Sequence, residues 1–507
     1  MKFAVVAIIV CLMMLLSVAF TTESTNQIES SLETDTIQYD SVCIVENTGS
    51  SGCVTSNNNI ITCPVLSNCI NSQTSSKSLN IRVKDGVYGK NGSEACSPYS
   101  MSANFRLLNI ESYTPNSKHV DFYCGSTFLN YASMSLPKIT INIKNINVYR
   151  LRSSFPADTG AIVVSSPYDS TLNLVNSNFN GFYSQDNGGT VNAQGFYVIL
   201  NQTTITNSVS NINGGAIYTD EQVIIDSSTI VGCSALYNGG AIYADQISMT
   251  NANISNNQAA NSGAIASNIT TIYQSYLNNN RASHNGGVIA IDYKASFFSA
   301  DLSVFQGNTA SNNGGVVHLN AVIEFYATTC SFSTSVAQAG GVIYASTPYS
   351  QDGYVNMNLT SSSFFSNRAL NDGAGDCINF VNSHIGIIGG VFYTDSQHYG
   401  PFGGLSYLLK LGPVTYTNDC PITNPLVVNN ANDEYLCGGF ESWSSSSYYW
   451  SSDSSNGDDR HGSMLAGLLF SILVGIFALA FFFGFTIRGF KDFHPTFIII
   501  NNNNKRD

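Results

Sequence analysis

The feature that most constrains this chain is a glycine pair that returns at near-constant spacing. Two octapeptides, NGGAIYTD from Asn213 and NGGAIYAD from Asn238, differ at one position. They belong to a series: Gly188-Gly189, Gly214-Gly215, Gly239-Gly240, the variant Ser262-Gly263, Gly286-Gly287, Gly314-Gly315 and Gly340-Gly341, spaced 23 to 28 residues apart. A second column fixes the register, since Phe179, Ile205, Ile230, Ile254, Leu277, Phe305, Phe332 and Phe364 each precede the following pair by a similar interval. Three residues beyond that apolar position stands Asn257, Asn280, Asn308 or Asn367 in half the units. Periods of this length imply a solenoid, in which no unit buries its own apolar face and each stacks on its neighbours.

Alternation assigns the strand that follows each glycine pair. Its second position is always β-branched (Val191, Ile217, Ile242, Ile265, Ile289, Val317, Ile343) and therefore faces inward. Its third position (Asn192, Tyr218, Tyr243, Ala266, Ala290, His318, Tyr344) therefore faces outward, and its fifth is usually Asp or Asn (Asp220, Asp245, Asn268, Asp292, Asn320), residues that close turns on their own backbone. The glycines supply the φ > 0 conformations of a tight corner. Rungs of several short strands, stacked at the ~4.8 Å spacing of paired strands, describe a parallel β-helix. Stacked helix pairs do not fit, because the units are rich in Gly, Asn, Ser and β-branched residues and carry no 3.6-residue period.

The combined FxxN and GGAI elements, over roughly residues 151–391, resemble the repeats of chlamydial polymorphic outer-membrane proteins and of pectin-lyase-like β-helix surface proteins of social amoebae. Upstream, Val83-Lys84-Asp85-Gly86-Val87-Tyr88 is similar to the DGTY turn near the start of pectin-lyase-like helices. The resemblance implies an all-β, right-handed parallel β-helix beginning near Leu79. Its bacterial relatives imply a role in adhesion; they are exported by a C-terminal barrel, where this chain is expected to have a single helix instead, so the export route does not carry over.

The two ends set the expected topology. Met1-Lys2, an apolar run from Phe3 to Leu16 and the small-residue exit Ser17-Val18-Ala19 have the form of a secretory signal over residues 1–19. Residues 464–487 contain no charge and are long enough for a helix to cross a ~30 Å hydrocarbon core. Arg488 and Lys491 follow this run, while Asp453, Asp458 and Asp459 precede it, so the positive-inside rule predicts a type I protein with residues 488–507 in the cytoplasm. Gly467, Ser471 and Gly475 form a small-residue stripe suited to a homodimer through this helix. Between signal and anchor the reading places a Cys-rich cap (20–78), the β-helix (79–419), a C-terminal Cys cap (420–440) and a Ser-rich stalk (441–463).

The cysteines and sequons agree with a secreted ectodomain. Cys43, Cys53, Cys63, Cys69, Cys96 and Cys124 are disulfide candidates whose pairing the sequence leaves open, and Cys420 with Cys437 is a further candidate pair. Cys233 and Cys330 fall within the repeats and read as inert core thiols. Candidate N-glycosylation sites are Asn91, Asn201, Asn253, Asn268 and Asn358.

No constellation for catalysis, metal binding or a cofactor stands out. Only 10% of the chain is charged, its net charge is -13, and that excludes the basic footprint of a nucleic-acid binder. Asp220 and Asp245 occupy equivalent positions on successive units and suggest a weak Ca²⁺ site, although turn closure accounts for both. The carboxylate motifs of polygalacturonases and pectate lyases are missing from the sequence. The candidate binding face is the outward column Tyr218, Tyr243, His318 and Tyr344, supplemented by inserted loops around Tyr293–Ser299 and Ser346–Asn356. The expectation is a single-pass plasma-membrane glycoprotein with an extracellular β-helix. It would act in adhesion or recognition of a glycan or surface protein, with a tethered polysaccharide lyase or glycosidase as the second reading.

Overall fold

The computed structural model describes residues 39–417, except 47–51, 56–59, 74–75, 90–95, 97–99, 102–104, 118, 133–137, 152–159, 292–295, 321–322, 347–354, 372–374, 382–383, 388–389, 394–401, 404–406 and 411–413. The expected signal, stalk, membrane span, cytoplasmic tail and Cys420–Cys437 pair lie outside the described residues. Among the described residues no helix is long and apolar enough to cross a membrane.

The described chain is a right-handed-type parallel β-solenoid. Its walls are a 24-stranded, a 13-stranded and an 8-stranded sheet. One rung shows the plan: Ile217–Thr219 and Gln222–Asp226 lie in the first sheet, Thr229–Val231 in the second and Ser234–Ala235 in the third. The next rung repeats it in register, pairing Ile217 with Ile242, Val223 with Ile247, Ile230 with Ile254 and Ser234 with Gln258. All seven β-branched residues expected to face inward are fully buried. Identical columns stack inside, with the Phe305, Phe332 and Phe364 rings 4.8 Å apart, the spacing of the strands that carry them. Each such side chain contributes roughly 1.5–3 kcal/mol by leaving water.

The two glycines of each pair do different things. The first (Gly188, Gly214, Gly239, Gly286, Gly314, Gly340) has φ between 62° and 69°, the left-handed region, and Ser262 fills the same role at φ 54°. The second has no positive φ. A Cβ on Gly240 would instead lie 2.1 Å from the carbonyl oxygen of Gly263 on the next rung and 2.6 Å from the backbone of Gln258 in the third sheet. The second glycine is thus required by close approach of backbones, and the third sheet answers with small inward residues: Ser184, Ser210, Ala235, Ala259, Ala282, Ala310, Ala337 and Ala369. The cross-section is pinched at this corner.

The other corners are held by buried polar ladders. Between the first and second sheets a left-handed residue (Asn176, Gln202, Ser227, Asn251, Gln274, Leu302, Thr329, Ser361) is followed by a small, mostly hydroxyl residue. The hydroxyls of Ser228, Ser275, Ser303 and Ser362 accept the N–H groups of Thr203, Ala252, Ser275 and Cys330 at 2.9–3.1 Å. Between the second and third sheets the repeated Asn does the same work: Asn257 Oδ1 accepts Cys233 N–H, Asn280 Oδ1 accepts Asn257 N–H, and Asn308 Oδ1 accepts Asn280 N–H. Their Nδ2 groups donate back to Ile230, Ile254 and Leu277 carbonyls. Leu302 is the odd member of its column, 44% exposed at φ 50° without a polar side chain. Leu302→Asn is expected to raise stability by about 1 kcal/mol, read as a higher denaturant midpoint at unchanged slope.

Parallel stacking begins earlier than the expected Leu79. Ser41–Val45 pairs in parallel with Leu79–Val83, so the Cys-rich segment supplies the first strand of the stack. It also supplies the antiparallel pairing of Val54–Thr55 with Ile61–Cys63 and the short helix Leu66–Ser72. Disulfides join Cys43 to Cys69, Cys53 to Cys63 and Cys96 to Cys124. The expected insertion at Tyr293–Ser299 is also narrower than anticipated, because Ser296–Asp301 is a strand paired with Ile269–Tyr273 and Ile323–Thr328. Val355–Thr360 likewise takes up the end of the second expected insertion.

Candidate functional site

The outward column of the first sheet is built by the register itself. Asn192 pairs with Tyr218 and Tyr218 with Tyr243; Tyr243 pairs with Ala266, Ala290 with His318, and His318 with Tyr344. Because neighbours in register are one strand spacing apart, aromatic side chains there come into ring contact. The Tyr218 and Tyr243 rings stack at 5.2 Å and 17°, both half-buried. His318 and Tyr344 meet edge to face at 5.3 Å and 64°.

His318 corrects one expectation. It occupies the outward column but is 6% exposed, so it backs the ring of Tyr344 instead of offering a contact surface. The accessible members of the candidate face are therefore Tyr218, Tyr243 and Tyr344. Burial raises the phenols of Tyr218 and Tyr344, with Asp220 adding to the rise at Tyr218, so both keep their hydroxyl protons in neutral solution.

Between the aromatic pairs stand Ala266 and Ala290, and here the repeat is broken. Three strand spacings separate Tyr243 from His318, or about 14 Å. At this point the Ser262 hydroxyl accepts the N–H of Ala290 at 2.9 Å and donates to the Ala290 carbonyl at 3.2 Å, taking both backbone groups for itself. The result is an interruption of the aromatic column by two methyl groups, between Tyr243 and the buried His318. Sequence reasoning missed it, although Ser in place of the first glycine and Ala in place of Tyr fall in the same stretch of the chain.

The corner beside this column is acidic. Asp220 Oδ1 accepts the Gly195 N–H at 2.6 Å, and Asp245 Oδ1 accepts from Asn268 Nδ2 at 2.7 Å, so each carboxylate closes a contact to a neighbouring rung. Burial, with Asp169, Asp220 and Asp245 nearby, raises the carboxyl of Glu221. Among the described residues no third metal-ligating side chain joins Asp220 and Asp245 within 4.8 Å. Among the described residues one trio of metal-ligating types converges within 4.8 Å, Cys43, Cys63 and Cys69, and all three sulfurs are in disulfides.

The remaining candidates are dispersed. Asn253 is exposed, Asn201, Asn268 and Asn358 are half-buried, and Asn91 lies outside the described residues. Cys233 occupies the Asn column and Cys330 the hydroxyl column. Burial pushes the thiols of both up to about 12 and raises that of Cys377 further. All three are expected to resist iodoacetamide at pH 8 in the folded protein and to react within minutes once it is unfolded, as mass spectrometry of the labelled peptides would show. Searches of protein-family models, curated proteins and solved structures gave no match. The likeness of the FxxN and GGAI elements to the repeats of surface β-helix proteins therefore rests on those motifs alone.

Proposed function

We propose that this protein is a single-pass plasma-membrane glycoprotein whose extracellular β-solenoid acts in adhesion or recognition. The signal-like start, the uncharged run 464–487, the sequons before it and the disulfides support that placement. The motif resemblance to surface β-helices supports the pectin-lyase-like assignment and the adhesive role. A homodimer through Gly467, Ser471 and Gly475 belongs to the same reading.

The observation that carries the recognition step is the interrupted aromatic column. Two half-buried, stacked tyrosines present apolar rings with hydroxyls at their tips, a surface suited to the apolar face of a sugar ring or to a protein side chain. The two alanines that follow Tyr243 in the column leave room beside its ring for a short stretch of neutral glycan. The test is a glycan array probed with the secreted ectodomain, followed by titration of the best ligand. Tyr218→Ala and Tyr243→Ala are each expected to weaken binding about tenfold, or ~1.4 kcal/mol, with the melting temperature nearly unchanged. Equal affinity in both variants would remove this face from the mechanism.

A second reading, a tethered glycosidase or polysaccharide lyase, draws on the raised carboxyl of Glu221 beside Asp169, Asp220 and Asp245. Release of reducing ends or unsaturated products from a polysaccharide panel, lost in Glu221→Gln, would favour it over recognition.

A further inference from the structure

The second sheet carries an exposed aromatic that neither the core nor the candidate face uses. Tyr276 is 54% exposed and directly in register with Asn253 on the preceding rung. Both lie in the first outward column of that sheet, next to Thr229 on one side and Val304 on the other. Asn253 heads the sequon Asn253-Ile254-Ser255.

Asn253 differs from the other described sequons in three respects at once. It is exposed, its side-chain amide has no hydrogen-bond partner among the described residues, and an exposed aromatic ring stands one strand spacing away. Asn268 spends its amide on Asp245. Asn201 has Val175 and Asp226 as its neighbours in register. Asn358 also has a tyrosine neighbour, Tyr326, but its Oδ1 accepts the Thr360 hydroxyl, and the Tyr326 ring is engaged by Phe297 and its hydroxyl by Glu324.

We propose that Asn253 carries an N-glycan whose first N-acetylhexosamine packs its apolar face on the ring of Tyr276. The inference rests on the secretory reading above. In the transfer, Nδ2 gives up one proton and bonds to C1 of the oligosaccharide, while the bond from C1 to the phosphate oxygen of a lipid-diphosphate donor breaks and the lipid diphosphate departs. At ~4.8 Å between in-register Cα positions, a sugar on Nδ2 that folds toward the next rung meets the Tyr276 face. The exposed ring is thereby covered by a group of the chain's own making, in the way aromatic side chains commonly meet partners that are apolar on one side and wet on the other.

The experiment uses the full chain expressed in a eukaryotic secretory host, with site occupancy read by glycopeptide mass spectrometry and stability by melting temperature in a double-mutant cycle. Asn253 is expected to be occupied. Loss of the glycan, in Asn253→Gln, should lower the melting temperature by roughly 1–3 °C with Tyr276 present. The same loss should cost less than half as much in Tyr276→Ala, and Tyr276→Phe should behave as wild type. An unoccupied Asn253 in a protein glycosylated elsewhere would overturn the proposal, as would equal decrements with and without the ring. Absence of glycan from every sequon would overturn the secretory reading along with it.

Discussion

Gly240→Ala is expected to abolish folding of the rungs around it, at a cost of about 4 kcal/mol or more. The added methyl would sit 2.1 Å from one backbone oxygen and 2.6 Å from backbone of a second strand, and neither can move without breaking a ladder on its far side. The contrasting substitution is Ser262→Gly in the first-glycine column. It relieves a left-handed non-glycine residue, worth about 1 kcal/mol, and gives up the hydroxyl bonds to Ala290, worth a similar amount. Its net effect should lie within about 1 kcal/mol of zero. Both are read from chemical denaturation of the secreted ectodomain. A Gly240→Ala protein as stable as wild type would mean that the third sheet is not pinched against the glycine as described.

Asn280→Ala should be the most damaging truncation of a polar side chain. Removing it leaves the Asn257 N–H without a partner, takes the side-chain donor from the Ile254 carbonyl, which keeps its place in the strand ladder, and takes a donor from Asn308 Oδ1, all in the fully buried Asn ladder. With about 1–3 kcal/mol for the orphaned buried N–H and about 1 kcal/mol for each weakened bond, the loss is expected near ~2–4 kcal/mol, a fall in melting temperature of several degrees. Gln258→Ala, on the exposed side of the same corner, should stay within about 0.5 kcal/mol of wild type. A similar loss for the two variants would show that the corner tolerates water where the ladder runs.

The period, the inward β-branched column and the outward tyrosines were legible because each is a property of one strand and its alternation. What the sequence concealed depends on two strands at once. The second glycine of each pair looks like the first in the sequence, but its φ is not left-handed and the backbone it crowds belongs to the next rung. The Asn of the FxxN element reads as a turn residue, but it is a buried crossbar, since its partners lie 23 to 28 residues away. His318 was placed in the right column and given the wrong exposure, because alternation fixes a side, not the depth of cover. Strand Ser41–Val45 was hidden in a cysteine-rich stretch whose spacing says disulfide before it says rung. The left-handed corner between the first two sheets was invisible for another reason: Asn, Gln, Ser, Thr and Leu all occupy it, and backbone bonds such as Asn251 N–H to the Tyr273 carbonyl hold its geometry whatever the side chain.

The disulfides of the first rungs span 26, 10 and 28 residues, and the corner ladders join residues no more than about one rung apart in the chain. Among the described residues the opening turns are tied to segments close by in the chain. Each completed turn then presents an edge of unpaired N–H and C=O groups that the next can only copy, as a crystal face accepts its next layer. A polypeptide built this way can assemble in the order of its synthesis, from a covalently sealed seed outward, so that the growing edge is exposed only for as long as one further rung takes to arrive.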